Sequence, residues 1–270
     1  LTKIVSSLNL KGGVGKTTIA VNYAAYCGRK NRKTLLIDLD PQSNASFGAI
    51  GLEEWKTHSE KKGTVSDLLG AGQHKSADGK VKTFADVVYK NAFKNVDLIP
   101  SHLELFTVDL DLAAKPSRER ILFKAIKDII ADYQLIICDC PPNLTLPTQN
   151  ALHFSTHFIV PVSLDYLSVL GIGLLLNRVK SLSGDLDNGD LQNAGIILSR
   201  VGRPSKHRGE TEATVRSDFK DSVLGGQIRD RSAVSKSMED ANSIFNSGDK
   251  DAIAEFNYIF AELDKRLKIK

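Results

Sequence analysis

The chain has 270 residues, 41 % of them hydrophobic, which is enough for one large α/β domain (1–270) with a sizeable core; no proline-rich or serine-rich linker divides it. Three irregularly spaced cysteines exclude a disulfide framework and fit a reduced cytoplasmic protein, and no run approaches the roughly 18 apolar residues that a membrane span needs. The net charge of +4 permits nucleic acid or anionic lipid as a partner without requiring either.

The first apolar run, Ile4–Leu8, reads as a buried strand that starts directly at the N-terminus, with no signal peptide; the missing initiator Met points to processing or a truncated start. Lys11-Gly12-Gly13-Val14-Gly15-Lys16-Thr17-Thr18 follows it, and a helical run, Ile19 to Cys27, comes next. Strand, glycine-rich turn and helix form the context of a phosphate-binding loop. The glycines let backbone N–H groups surround phosphate oxygens, the helix N-terminus adds partial positive charge, Lys16 adds a full one, and the Thr17 hydroxyl suits Mg²⁺. The pattern G-x-x-x-x-G-K-S/T fails at its first position, Leu10, and a second lysine, Lys11, stands inside the loop.

A second strand, Thr34–Asp38, runs out into Asp38-Leu39-Asp40-Pro41, where Pro41 stops a helix from starting. Beside a phosphate loop, one such acid can orient or deprotonate water and another can hold a metal shell. Glu53–Lys62 and Ala71–Lys82 are polar and charged and read as exposed insertions. Strands are expected at Val96–Ile99, Leu135–Asp139, His157–Val162 and Ala194–Ser199, with a weaker one near Gly226–Ile228. Leu135–Asp139 ends in an acid, the Walker B layout, and Pro141-Pro142 gives a stiff exit. Cys138 and Cys140 share one face and read as small buried thiols rather than metal ligands. The acidic, glycine-containing Asp185–Asp190 reads as a loop.

Continuously apolar strands between helices predict a doubly wound, mainly parallel sheet with helices on both faces, and ligands at the carboxyl ends of its strands. The glycine loop, Asp38, Asp40 and Asp139 all fall there. Arg200, Arg203, Lys206 and Arg208 cluster in a loop free of acids from Val201 to Gly209, and Arg229, Arg231 and Lys236 lie just past the last strand. On the final helix Ile253, Phe256, Phe260, Leu263 and Leu267 form one stripe, with Lys265, Arg266, Lys268 and Lys270 at its end. Glu255, Glu262 and Asp264, with the short connection from the last strand, favour packing on the sheet over lying on anionic lipid.

The glycine loop, the Asp38–Ala45 stretch, Cys138–Pro142, and Val160-Pro161-Val162 followed by Tyr166–Gly171 together resemble the ParA/MinD group of P-loop ATPases, with its K-G-G-x-G-K-T-T loop, and most of all the ParA/Soj partition ATPases. The resemblance covers nearly the whole chain. It implies an ATP-dependent homodimer and ATP hydrolysis with Mg²⁺. Nothing resembles the N-K-x-D guanine motif. By resemblance, Lys11 reaches the partner's ATP, and Lys16 holds phosphates in its own subunit. Gly12, Gly13, Val14 and Gly15 form the cradle, Thr17 ligates Mg²⁺ and Thr18 contacts the α-phosphate. Asp40 positions the attacking water, and Asp38 and Asp139 support the metal. The adenine contact is left to the loop after Ser199. The resemblance further implies nonspecific DNA binding by the arginine and lysine set, a ParB-like partner that stimulates hydrolysis, and a nucleoid-associated cytoplasmic protein that partitions or positions DNA or another cargo. No helix-turn-helix or long N-terminal extension precedes the loop, as in the short members. The alternatives are a MinD-like membrane-cycling regulator and an iron–sulfur scaffold of the same fold, the latter disfavoured by the lack of a C-x-x-C pair.

Overall fold

The computed structural model describes residues 1–70, 82–183 and 191–269. Nearly all of the expected insertion at 71–82 and the whole of the expected loop at 185–190 lie outside the described residues. Eight strands form one sheet among those described: β1 (Lys3–Ser7), β2 (Thr34–Asp38), β3 (Tyr89–Phe93), β4 (Val96–Ile99), β5 (Leu135–Asp139), β6 (His157–Val162), β7 (Gln192–Val201) and β8 (Val223–Arg229), in the order β3-β4-β2-β5-β1-β6-β7-β8. Every pairing is parallel except β3 with β4.

The larger helices are α1 (Lys16–Arg29), α2 (Asn44–Ile50), α3 (Leu52–Lys61), α4 (Val65–Leu69), α5 (Phe84–Val87), α6 (Val108–Asp111), α7 (Ile121–Ile126), α8 (Leu146–Phe154), α9 (Tyr166–Ser183), α10 (Lys206–Phe219), α11 (Ser232–Glu239) and α12 (Lys250–Leu267). Side chains alternate across each strand, so continuously apolar strands supply two cores at once. Leu35, Ile37, Ile136 and Cys138 enter one core with residues of α8 and α9. Leu36, Leu135 and Ile137 enter the other with α1 and α12. This is the doubly wound, mainly parallel α/β architecture that the strand pattern predicts.

The final helix is committed to the second core: Phe256, Phe260, Leu263 and Leu267 are fully buried, and Ile253 packs against them. Asp264, buried on the same helix, fixes it to α1. Its carboxylate accepts from Arg32 at 2.7 Å, Lys30 at 3.1 Å and the Tyr23 hydroxyl at 3.1 Å. Burial of a carboxylate is tolerated here because cations and a hydroxyl surround it.

The two sheet edges are treated differently. On the β8 edge, outward N–H groups of Gly225 and Arg229 donate to Glu262 and Glu255 of α12, each at 2.9 Å. Arg266 donates to the Val223 carbonyl, and Arg216 to the Leu224 carbonyl. On the other edge, β3 was not expected. Its sequence YKNAF is half polar, and Asn91 and Asn95 take left-handed backbone (φ 56° and 58°) as the chain reverses into β4. Two further stretches differ from expectation. Glu53–Lys62, read as an insertion, is nearly all helix α3, polar on its outer face but anchored by Trp55, whose ring N–H donates to the Ser101 carbonyl. The basic stretch after Arg200 is a loop only as far as Ser205, which caps α10 by accepting the Arg208 N–H at 3.3 Å.

Candidate functional site

The adjacency β2-β5-β1 brings three strand ends side by side. In register, Asp139 faces Asp38 on one side and Ser7 on the other. The glycine loop leaves β1 there and enters α1. Gly13 and Gly15 adopt φ of 74° and 89°, a region that side chains with a Cβ rarely occupy, so the loop needs glycine at both positions. Gly15 also begins α1, whose first turn holds no acid and no side-chain cap, so its first N–H groups remain for an anion.

Lys16 is buried, and its ammonium donates to the Lys11 carbonyl at 3.2 Å. Burial pulls its pKa down, against the pull of Asp139 and Asp40. A cation whose hydrogen bond among the described residues is to a backbone carbonyl is ready for a phosphate. Lys11 is different: exposed at the mouth of the loop, it pairs with Asp165 at 2.7 Å. Asn9 shapes the approach, accepting the Lys11 N–H and donating to the Pro161 carbonyl.

The three acids have unlike surroundings. Asp38 accepts from the Asp40 N–H, the Ser46 N–H and the Ser46 hydroxyl, at 3.1, 2.8 and 2.7 Å. Burial outweighs those bonds and raises its pKa to about 7. Asp40 is held by its backbone: its carbonyl accepts the Ser101 hydroxyl at 2.6 Å, and its Oδ1 accepts the Gln42 N–H. Asp139 is fully buried with neither oxygen hydrogen-bonded. Burial first, then the Asp38 charge, push it well above the usual carboxylate range; the Thr17 hydroxyl, short of a made hydrogen bond, offsets only part.

An orphaned carboxylate beside a threonine hydroxyl and a phosphate loop fits a hard divalent cation that shares its remaining ligands with phosphate and water. Among the described residues no group of three or more His, Cys, Asp or Glu is placed to hold a metal alone. Cys138 and Cys140 are buried thiols in one apolar cluster, pushed up by burial, Cys138 to about 12.

Without a ligand, the Asp139 charge is a liability with a defined sign. The raised pKa of Asp139 and Asp38 means that their stabilising protonated state is fully present below about pH 4 and is lost as pH rises through the folded-state values. Asp139→Asn removes that loss, so the ligand-free variant should exceed wild type in stability by about 1–3 kcal/mol at pH 8. The gain should shrink toward pH 5. Urea unfolding at the two pH values tests this, and equal stability at pH 8 would show that the carboxylate has a partner.

The site opens into a cleft of about 630 Å³, the size range of a nucleotide pocket. At one end lie Gly12, Gly13, Gly15, Lys16, Thr17, Thr18 and Asp40. The other end groups the apolar Phe47, Ile228, Val234, Met238 and Phe256, with Arg229, Asp230, Ser235 and Glu239 beside them. Sequence reasoning missed this end. Its one readable signal was the i, i+4 pair Val234 and Met238 on α11. Such a cleft suits a phosphate chain joined to a flat apolar ring. Arg200, at the end of β7, lines it too.

The predicted basic set divides. Arg200 donates to the Gly13 carbonyl at 2.8 Å and lies 3.8 Å from Asp230. Arg229 and Arg231 pair with Glu255, and Arg231 also with Asp251. Arg208 donates to the Arg203 carbonyl, and Lys206 lies 4.0 Å from Glu210. Arg203, Lys206 and Lys236 are exposed. No described helix is long and apolar enough to cross a membrane.

The sequence profile of the AAA domain family matches residues 2–192. The chain is 34 % identical to the sporulation initiation inhibitor protein Soj of Bacillus subtilis over 82 % of its own length and 81 % of that protein. It is 33 % identical to the chromosome-partitioning ATPase Soj of Treponema pallidum, with the same coverage. Among solved structures, a putative plasmid partition protein from Borrelia burgdorferi bound to AMPPNP superposes with a TM-score of 0.78 at 26 % identity, covering 98 % of this chain and all of the other.

Proposed function

Because the chain belongs to the ParA/Soj family of partition ATPases, we propose that it is a single-domain, Mg²⁺-dependent ATPase that forms an ATP-bound homodimer, binds DNA without sequence preference and so positions DNA or another cargo. The observation that carries this reading is Lys11. It is a second lysine in the phosphate loop, exposed at its mouth while Lys16 already occupies the floor.

The triphosphate would lie against the loop N–H groups and Lys16, with the purine at the Phe47–Met238 end of the cleft. Thr17 and Asp139 would hold Mg²⁺, with Asp38 behind them; when bound, the ion neutralises phosphate charge. Thr18 would contact the α-phosphate. Asp40, fixed through Asp38 and Ser101, orients the attacking water and accepts its proton. Lys11 exchanges Asp165 for the nucleotide of the second subunit. ATP drives this only by binding the dimer better than the monomer.

DNA contact is proposed for the basic set, with the most charge available from Arg203, Lys206, Arg208 and Lys236. A ParB-like partner would stimulate the slow hydrolysis that releases the dimer, in the cytoplasm and on the nucleoid. The MinD-like alternative draws no support from α12, whose apolar stripe is already buried against the sheet.

Binding to a nonspecific duplex with ATP, ADP or no nucleotide, across a salt series, tests the reading. Binding should require ATP and weaken steeply with salt; roughly five phosphates neutralised would give a log–log slope of about −4 to −5. Intact ATP hydrolysis without DNA binding in any state would overturn the DNA-based cycle and shift the surface to a membrane or a protein scaffold.

A further inference from the structure

Two residues at the end of β7 grip the phosphate loop from outside. The Ser199 hydroxyl donates to the Val14 carbonyl, and Arg200 Nη1 donates to the Gly13 carbonyl at 2.8 Å. Each carbonyl belongs to a planar trans peptide, in which C=O and N–H point in opposite directions. The Gly13 carbonyl shares its peptide with the Val14 N–H, and the Val14 carbonyl with the Gly15 N–H. Holding both oxygens toward β7 therefore turns both N–H groups away from it, as an anion seated in the loop requires.

The local backbone is built around this grip. Arg200 has φ of 50°, a left-handed conformation rare for a residue of its size and kept only where the surroundings enforce it. A Cβ on Gly13 would stand 3.6 Å from Arg200 Nη1, and one on Gly15 would stand 3.5 Å from Ser199 Oγ. Arg200 Nε lies 3.8 Å from Asp230, just past β8. One side chain thus spans from the phosphate loop to the strand that walls the apolar end of the cleft.

We propose that Ser199 and Arg200 are positioning residues for the nucleotide phosphates, a strap that presets the loop N–H groups before the anion arrives. This rests on the ATP-site reading above, and it moves Arg200 from the DNA surface to the nucleotide cleft.

The test uses the full chain as wild type, Arg200→Ala, Arg200→Lys and Ser199→Ala. Calorimetry gives the affinity for ATP and for inorganic tripolyphosphate, and turnover gives KM and kcat. Arg200→Ala should weaken both ligands about tenfold, the loss expected for one charge-assisted hydrogen bond. KM should rise by a similar factor and kcat change much less. Arg200→Lys should restore most of the affinity, since an ammonium still donates to the Gly13 carbonyl. DNA affinity at saturating ATP should stay at the wild-type value. If Arg200→Ala lowers the melting temperature, Ser199→Ala carries the test at the Val14 carbonyl, with a weakening in the same direction. Unchanged ATP and tripolyphosphate affinity in these variants, or a loss confined to DNA, would overturn the strap alone. A wild-type protein that binds neither ligand would overturn the ATP-site reading, and the strap with it.

Discussion

Asp40→Ala is expected to lower ATP turnover by about 10²-fold or more while ATP affinity stays within a few-fold of wild type. The geometry separates the two effects. Asp40 lines the cleft, but the groups that would bind phosphate are the loop amides and Lys16; the amides are independent of its carboxylate, and the larger pull that keeps Lys16 charged comes from Asp139, which the variant retains. The turn is also secured without that carboxylate, by the Asp40 N–H on Asp38 and the Asp40 carbonyl on Ser101. The substitution therefore removes the group proposed to handle water and leaves the scaffold in place. Single-turnover hydrolysis and equilibrium ATP binding, run on the same preparation, measure both quantities. Turnover at the wild-type rate would remove Asp40 from the mechanism.

Lys11→Ala should abolish the ATP-dependent dimer, weakening it by about 10²-fold or more, as truncation of a buried interfacial charge typically does. In the single subunit the same side chain does little. Its pair with Asp165 is about 40 % exposed on both sides, and exposed pairs contribute about 1 kcal/mol or less. Thermal stability should hence be near wild type, so a lost dimer cannot be blamed on a damaged fold. Sedimentation with a nonhydrolysable ATP analogue is the measurement. A wild-type dimer in this variant would refute the cross-subunit role.

How much of this was legible in the sequence follows from which physical signals are local. β2 and β5 lie inside the sheet, covered on both faces, so their runs of Leu and Ile announced them, and their terminal acids came with them. β3 escaped because an edge strand with one half-exposed face carries Lys90 and Asn91 where a buried strand would carry Val or Ile. Helix α3 escaped because one tryptophan and one buried serine anchor it, too few for a stripe. The phosphate end of the cleft is one contiguous motif and could be read directly. Its apolar end gathers Phe47, Ile228, Met238 and Phe256 from four separate elements, a convergence that only the fold creates. The hold of Ser199 and Arg200 on the loop joins residues some 185 positions apart, and no spacing rule reaches that far.

The treatment of the β8 edge bears on how molecules of this chain can assemble. The outward amides of Gly225 and Arg229, which another strand would use to extend the sheet, are already taken by Glu262 and Glu255. At the opposite end, β3 is short and carries Lys90 near its start and Lys94 just beyond its close, which discourages pairing there. Where copies of a chain gather, exposed strand edges let neighbours zip together through their backbones. With both margins of the sheet guarded against that route, association between copies is left to side-chain faces, which part more readily than a continued sheet.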